Sequence, residues 1–270
     1  MLDRSEATGG VGSTVATEPP IHISLLGEFR IIKAGQPVSL RSGGKPETLV
    51  GSLALRNRHG MPREQLLCML WPERDTPQAA QSLNSVVHAL QKLLGSALHG
   101  SALVLHDDGR YRLNTAAGIA VDIVSFDALA DSEAAHRRAG REDAALAACR
   151  QAVVLYRGDL YEVADTFAAM ERERLRERYL TLLTRLADAA FNTGDYATSL
   201  SYAKRLLQTE PCCEDAHRRA MRCYMRLGER DQALRQFRLC ETVLRHEFGA
   251  IPEPMTQALF QSVRLEPATV

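Results

Sequence analysis

Apolar and β-branched residues crowd the stretch from Ile21 to Ile32, a Gly35-containing turn follows, and Pro37 to Leu40 resumes the pattern, which predicts a short antiparallel sheet. From Pro46 the spacing becomes helical, with Leu49, Val50, Leu53 and Leu55 in a segment that ends at Gly60. Pro62 suits the first turn of a second helix, whose apolar face is Leu66, Leu67, Met69, Leu70 and a core Trp71, and Pro72 stops it. Thr76 and Pro77 open a third helix as N-cap and first helical residue. Leu83, Val86, Val87, Leu90, Leu93 and Leu94 then form one apolar stripe before Gly95 closes the helix. Leu103 to His106 and Tyr111 to Leu113 flank Asp108-Gly109, the favoured two-residue hairpin turn.

Strands, three helices and a terminal hairpin in this order make a winged helix-turn-helix over residues 21–114. The side of the third helix opposite its apolar stripe carries Gln81, Ser85, His88 and Lys92, with Asn84 and Gln91 at its edges. In such a domain this helix enters the major groove of double-stranded DNA, where amides and hydroxyls read base edges, Asn or Gln pairing with adenine. Arg110 and Arg112 on the hairpin would reach phosphate or the minor groove. The competing reading of the same residues is a solvated helix face with no ligand.

Residues 115–265 read as paired helices. Asp122 can cap a helix from Ile123 to Ala139, and Glu142 to Tyr156 runs back against it. After an irregular link at 157–161, a charged helix contains Glu171 to Arg178, whose alternating signs are those of a solvated face. Further pairs are expected at about 180–192 with 196–208, and 214–227 with 231–247, and Met255, Leu259 and Phe260 would cap the end. A phrase of the type Gly, polar residues, small residue, Leu recurs at Gly140, Gly194 and Gly228, with the last two 34 residues apart, the period of tetratricopeptide helix pairs. Each glycine suits a helix end that turns left-handed, and Ala145, Ser199 and Ala233 are small enough for close helix pairing. The fold class is therefore mainly α with small β, a winged helix-turn-helix followed by a tetratricopeptide-like array. Arg218, Arg219, Arg222 and Arg226 share one helix face and would suit an anionic partner in a groove of the array; the alternative is a solvated basic face paired with Glu214, Asp215 and Glu229.

Charge sharpens this division. The formal net charge is zero, yet residues 21–114 hold 11 Lys and Arg against 7 Asp and Glu, and the flanking segments are slightly acidic. No stretch has the apolar length of a membrane span, and residues 1–20 read as a disordered, leaderless tail, so a cytoplasmic protein without a membrane partner is expected. The six cysteines form no C-x-x-C pair and read as buried or inert thiols, with adjacent Cys212 and Cys213 the pair to test. Ser42-Gly-Gly-Lys45 fails as a phosphate loop, and neither a nucleophile elbow nor a zinc-protease helix occurs, so neither catalysis nor a metal or cofactor is expected.

Leu25-Leu-Gly27, Pro37-Val38, Leu70-Trp71, Gln81 to Gly95 and Gly109-x-Tyr111-x-Leu113 resemble the OmpR-type DNA-binding domain of the SARP (Streptomyces antibiotic regulatory protein) regulators. Val121-Asp-Ile-x-x-Phe126, Tyr156-Arg-Gly-Asp-Leu160, Glu171-Arg-x-Arg-Leu175 and Glu247-Phe-Gly-x-x-Pro252 resemble the bacterial transcriptional activator domain that follows it there. The resemblance implies an activator that binds promoter direct repeats and holds RNA polymerase, with Pro72, Glu73, Arg74 and Asp75 as the loop that touches polymerase, and it implies partners at the array: a second copy, or a small-molecule or protein effector. One departure is that Gln91 and Lys92 stand where the family often has a basic pair, which predicts a weaker, less salt-dependent grip. The alternative function is a partner- or ligand-binding regulator with weakened DNA binding.

Overall fold

The computed structural model describes residues 19–73, 76–161 and 166–265, so the expected tail at 1–20, up to residue 18, and the closing tail 266–270 lie outside it. The chain opens with the expected antiparallel hairpins, β1 (Ile21–Ser24), β2 (Arg30–Lys33) and β3 (Gln36–Val38). Then follow α1 (Lys45–Leu55), β4 (Met61–Pro62), α2 (Arg63–Leu70), α3 (Thr76–Leu94), β5 (Val104–Asp107) and β6 (Arg110–Leu113). Pro62 pairs with Arg110 instead of entering α2, which makes the wing a three-stranded sheet in the order β4, β6, β5. Leu83, Leu90 and Leu94 of α3 are fully buried, each worth about 1.5–3 kcal/mol by area. Val86 and Val87 are half-buried and Leu93 lies open, so the stripe is narrower than the periodicity predicts. Gly95 begins a buried turn of 3-10 helix and does not end α3 in a left-handed conformation; His99 and Gly100 take that conformation four residues on.

A strand that periodicity missed, β7 (Ile119–Val121), pairs in parallel with β1, with Ile21 opposite Ile119. It joins the opening sheet in the order β3, β2, β1, β7 and leads directly into α4 (Asp122–Arg138). Asp122 does not serve its own helix in the expected way. Its carboxylate accepts from the backbone N–H groups of Leu25 (2.9 and 2.8 Å), Leu26 (2.9 Å) and Ile123 (2.8 Å), so it bolts α4 to the end of β1. Burial pushes this carboxyl above its ordinary value, while the N–H donors of Leu26, Leu25 and Ile123 pull the other way.

The same node receives the link after α5 (Glu142–Leu155). Gly27 N–H donates to Asp159 O at 2.9 Å, Tyr161 N–H donates to Leu25 O at 2.7 Å, and Leu26 bridges Leu160. A Cβ on Gly158 would stand 3.1 Å from Gly27 Cα, so the two chains cross where neither carries a side chain. The link therefore packs on the opening sheet. One hydrophobic cluster accordingly runs from Ile21 through the three front helices into α5 and beyond.

Beyond the node the chain folds as stacked hairpins: α4 with α5, α6 (Thr166–Asn192) with α7 (Tyr196–Thr209), and α8 (Glu214–Arg226) with α9 (Arg230–Phe248). The charged segment and the helix expected to follow it are one continuous α6 of 27 residues. Gly140, Gly194 and Gly228 all have positive φ at helix ends, and Ala145, Ser199 and Ala233 are fully buried between paired helices. The last helix, α10 (Pro254–Leu265), covers the stack with Leu259, Val263 and Phe260, the last stacked on Phe237 at 4.0 Å. Met255 faces solvent at 65% exposure, because Thr256 takes the inward position beside it.

Candidate nucleic-acid interface

α3 offers an uninterrupted polar face. Gln78, Gln81, Asn84, Ser85, His88 and Lys92 are all exposed, while the helix is anchored on its opposite side by Ala79, Leu83, Leu90 and Leu94. Within that face Ser85 Oγ donates to Gln81 O at 3.0 Å, and half-buried Ser82 beside it donates to Gln78 O at 2.9 Å. The Gln81, Asn84, His88 and Lys92 side chains have no hydrogen-bond or ion-pair partner among the described residues.

Gln91 behaves differently from its neighbour. Its Nε2 donates to Ser101 O at 3.0 Å and its Oε1 accepts from Leu103 N–H at 2.6 Å, so the amide fixes the entry of the wing against α3. Lys33 from β2 reaches the same, C-terminal end of the helix, donating to Leu93 O at 2.6 Å, where a cation complements the helix dipole. Sequence periodicity gave no signal for this contact across 60 positions.

In the wing, Asp108 and Gly109 both have positive φ, as the two-residue turn requires, and β5 pairs with β6 from Val104 opposite Leu113 to Asp107 opposite Arg110. Tyr111 and Leu113 point into the core, so Arg110 and Arg112 point out. Arg110 Nη1 donates to His59 O (3.1 Å) and Gly60 O (3.4 Å), and Arg112 pairs with Asp107 at 3.3 Å. Exposed Arg58 and His59 thus stand in the turn that the wing holds, and sequence reading missed them as a third basic edge. Pro72 and Glu73 between α2 and α3 are exposed; Arg74 and Asp75 lie outside the described residues. Trp71 is half-buried, packed against the core.

The arginines of the array are mostly committed. Arg218 is buried and bonds Glu253 (3.0 Å), Thr256 (2.7 Å) and Asp215, which ties α8 to α10. Arg219 pairs with Asp188 and stacks over Phe191. Arg222 and Arg226 remain partly and fully exposed, so the four do not form one open basic face: their spacing also suits the gap between neighbouring helices, and two of them fill it. The charged stretch of α6 departs from its expected solvated role in the same way. Arg174 makes paired bonds to Asp127 at 2.9 Å, Arg178 bonds Asp127 at 2.8 Å and Asp131, and Arg176 bonds Glu210 at 2.9 Å.

Of the cysteines, Cys149, Cys223 and Cys240 are buried, Cys212 and Cys213 half-buried, and Cys68 exposed. Burial pushes the thiols of Cys149 and Cys240 up, to about 11 and about 12, and also raises Cys212, so none of these three is activated as a thiolate. Among the described residues no group of three or more His, Cys, Asp or Glu is placed to hold a metal ion, and no helix is long and apolar enough to cross a membrane.

The structure is thus a winged helix-turn-helix joined through the opening sheet to a tetratricopeptide-like array. The model of the bacterial transcriptional activator domain matches residues 121–264, more than half of the chain. The chain therefore belongs to that family and is a SARP-type transcriptional regulator. It is 28% identical over 227 residues to the regulatory protein DnrI of Streptomyces peucetius, a match that covers 81% of this chain and 83% of DnrI. Its fold is similar to that of Mycobacterium tuberculosis EmbR, solved in complex with a low-affinity phosphopeptide, with a TM-score of 0.69 and 24% identity over 92% of this chain. The chain spans 65% of the length of EmbR.

Proposed function

We propose that this regulator activates transcription by binding promoter DNA through α3 and the wing, as two or more copies on direct repeats, and by contacting RNA polymerase there. Residues 21–114 form the DNA-binding unit and residues 115–265 the activator array. The observation that carries this reading is that Gln81, Asn84, Ser85, His88 and Lys92 stay exposed together beside the wing while the rest of α3 is anchored. The amides of Gln81 and Asn84 can each pair with an adenine edge in the major groove, and Lys92, Arg110 and Arg112 meet phosphates. Pro72 and Glu73, with Arg74 and Asp75, form the loop offered to polymerase, and Arg222 and Arg226 remain on α8 for a partner of the array.

A second reading, a partner- or ligand-binding regulator that grips DNA weakly, is favoured by Gln91, whose amide is spent on the wing where a phosphate-binding cation would serve. Selection of bound fragments from genomic DNA over a salt titration separates the two. The first reading expects specific fragments to be retained near physiological salt and released by Ser85→Glu with Lys92→Glu. Absence of retention even at low salt removes it and leaves the second.

A further inference from the structure

The end of the opening sheet farthest from β7 borders a hollow of about 700 Å³, within the size range of small-molecule sites. Its walls come from β2, β3, the start of α1 and the interdomain link, and they are largely apolar: Phe29, Ile32, Val38 and Leu40, with Tyr161 tilted against Phe29 at 5.4 Å. Ile32, a large aliphatic side chain, is 38% exposed there. One polar group stands out on this wall. Glu47 is 5% exposed, and its Oε1 accepts from Gly43 N–H at 3.2 Å and from the Tyr161 hydroxyl. Its Oε2 has no hydrogen-bond partner among the described residues. The cation on the same wall, Arg30, is engaged by Glu28 through two hydrogen bonds.

We propose that this hollow is a ligand site for a small apolar amine, its hydrocarbon body on Phe29, Ile32 and Val38 and its ammonium on Glu47 Oε2. A carboxylate that is nearly buried among apolar walls gains most from a charged donor, because the low local dielectric strengthens the contact. The same wall disfavours anions, since Glu28 and Glu47 outnumber Arg30. The site touches both parts of the node, for Gly27 and Tyr161 line it and also carry the backbone bonds between β1 and the link. Occupancy would therefore bias how the array is held against the winged helix; this consequence rests on the DNA-binding reading, whereas the ligand site does not.

Calorimetric titration of the full chain with tryptamine, tryptophol and indole acetate provides the test, three probes of one shape with a cation, a neutral hydroxyl and an anion. Tryptamine is expected to bind at least about tenfold more tightly than the other two, the size of one charge-assisted hydrogen bond. Glu47→Gln, which keeps an acceptor for Gly43 and Tyr161, should abolish that preference. Ile32→Trp, at a half-open position, should weaken all three probes while the melting temperature stays near that of the parent. No tryptamine binding at millimolar concentration, equal binding of the three probes, or an amine preference that survives Glu47→Gln would each overturn the site. Fragment retention repeated with saturating tryptamine reads the coupling: a chain that binds no DNA removes the proposed function and leaves the ligand site standing.

Discussion

The polar face of α3 and the arginine-rich faces of α6 and α8 look alike in sequence, each a run of hydrophilic residues at helical spacing, yet their side chains are used in opposite ways. On α6 and α8 the guanidiniums of Arg174, Arg178 and Arg219 end on carboxylates of neighbouring helices, and that of Arg218 ends on Asp215 of its own helix and on Glu253 just before α10. On α3 the Gln81, Asn84, His88 and Lys92 side chains end on no partner among the described residues. The difference shows that density of charge alone does not mark a face whose hydrogen-bonding capacity is open. What matters is whether the hydrogen-bonding capacity is already satisfied inside the molecule, because a bonded arginine must lose its partners before it can serve another.

Substitutions on the two sides should separate accordingly. The largest effect is expected at the node: Asp122→Ala orphans the buried N–H groups of Leu25, Leu26 and Ile123 and should cost about 3–5 kcal/mol in urea unfolding. Arg218→Ala should cost about 2–3 kcal/mol by the same measurement, whereas Arg222→Ala should stay within about 0.5 kcal/mol. Equal costs for the two arginines would erase the distinction between committed and open guanidiniums. On α3, Ser85→Glu with Lys92→Glu should leave the unfolding midpoint unchanged while weakening DNA binding about a hundredfold in fluorescence anisotropy.

A smaller effect is expected from pH. His217, buried in α8, lies between Pro211 O (2.9 Å) and Gln236 Nε2 (2.7 Å), and burial lowers its pKa below the ordinary 6.5. Its neutral form is the one folded into the array, so the stability it supplies is present above 6.5 and is lost as pH falls through the lowered folded-state value. The thermal stability of the array should therefore fall from neutral to mildly acidic pH, read as a lower unfolding midpoint, and His217→Gln should flatten that dependence. The smallest effect, within about 0.5 kcal/mol, is expected for Met255→Ala, since its side chain is solvated.

The periodic signals carried much of this architecture. The wing was legible because Asp108-Gly109 demands a particular turn, and the hairpins were legible because Gly140, Gly194 and Gly228 mark left-handed helix ends. Residues whose role depends on distant partners were not. β7 has only three residues and is defined by pairing with β1, nearly a hundred positions away, and Asp122 looked like a helix cap because its true donors, Leu25 and Leu26, are equally remote. On α3 the outward face could be read from spacing, but Gln91 and Lys92 looked equivalent until the backbone of Ser101 and Leu103 claimed the first. For α8, four arginines at helical spacing fit an open face and an interhelix seam equally well, and only packing distinguishes them.

Photo-crosslinking tests the contrast most directly, with benzoyl-phenylalanine placed at Gln81 or, separately, at Arg222 in the full chain bound to a selected promoter fragment. The account predicts crosslinks to DNA from the first position and none from the second. DNA captured from α8 while α3 stays silent would contradict it.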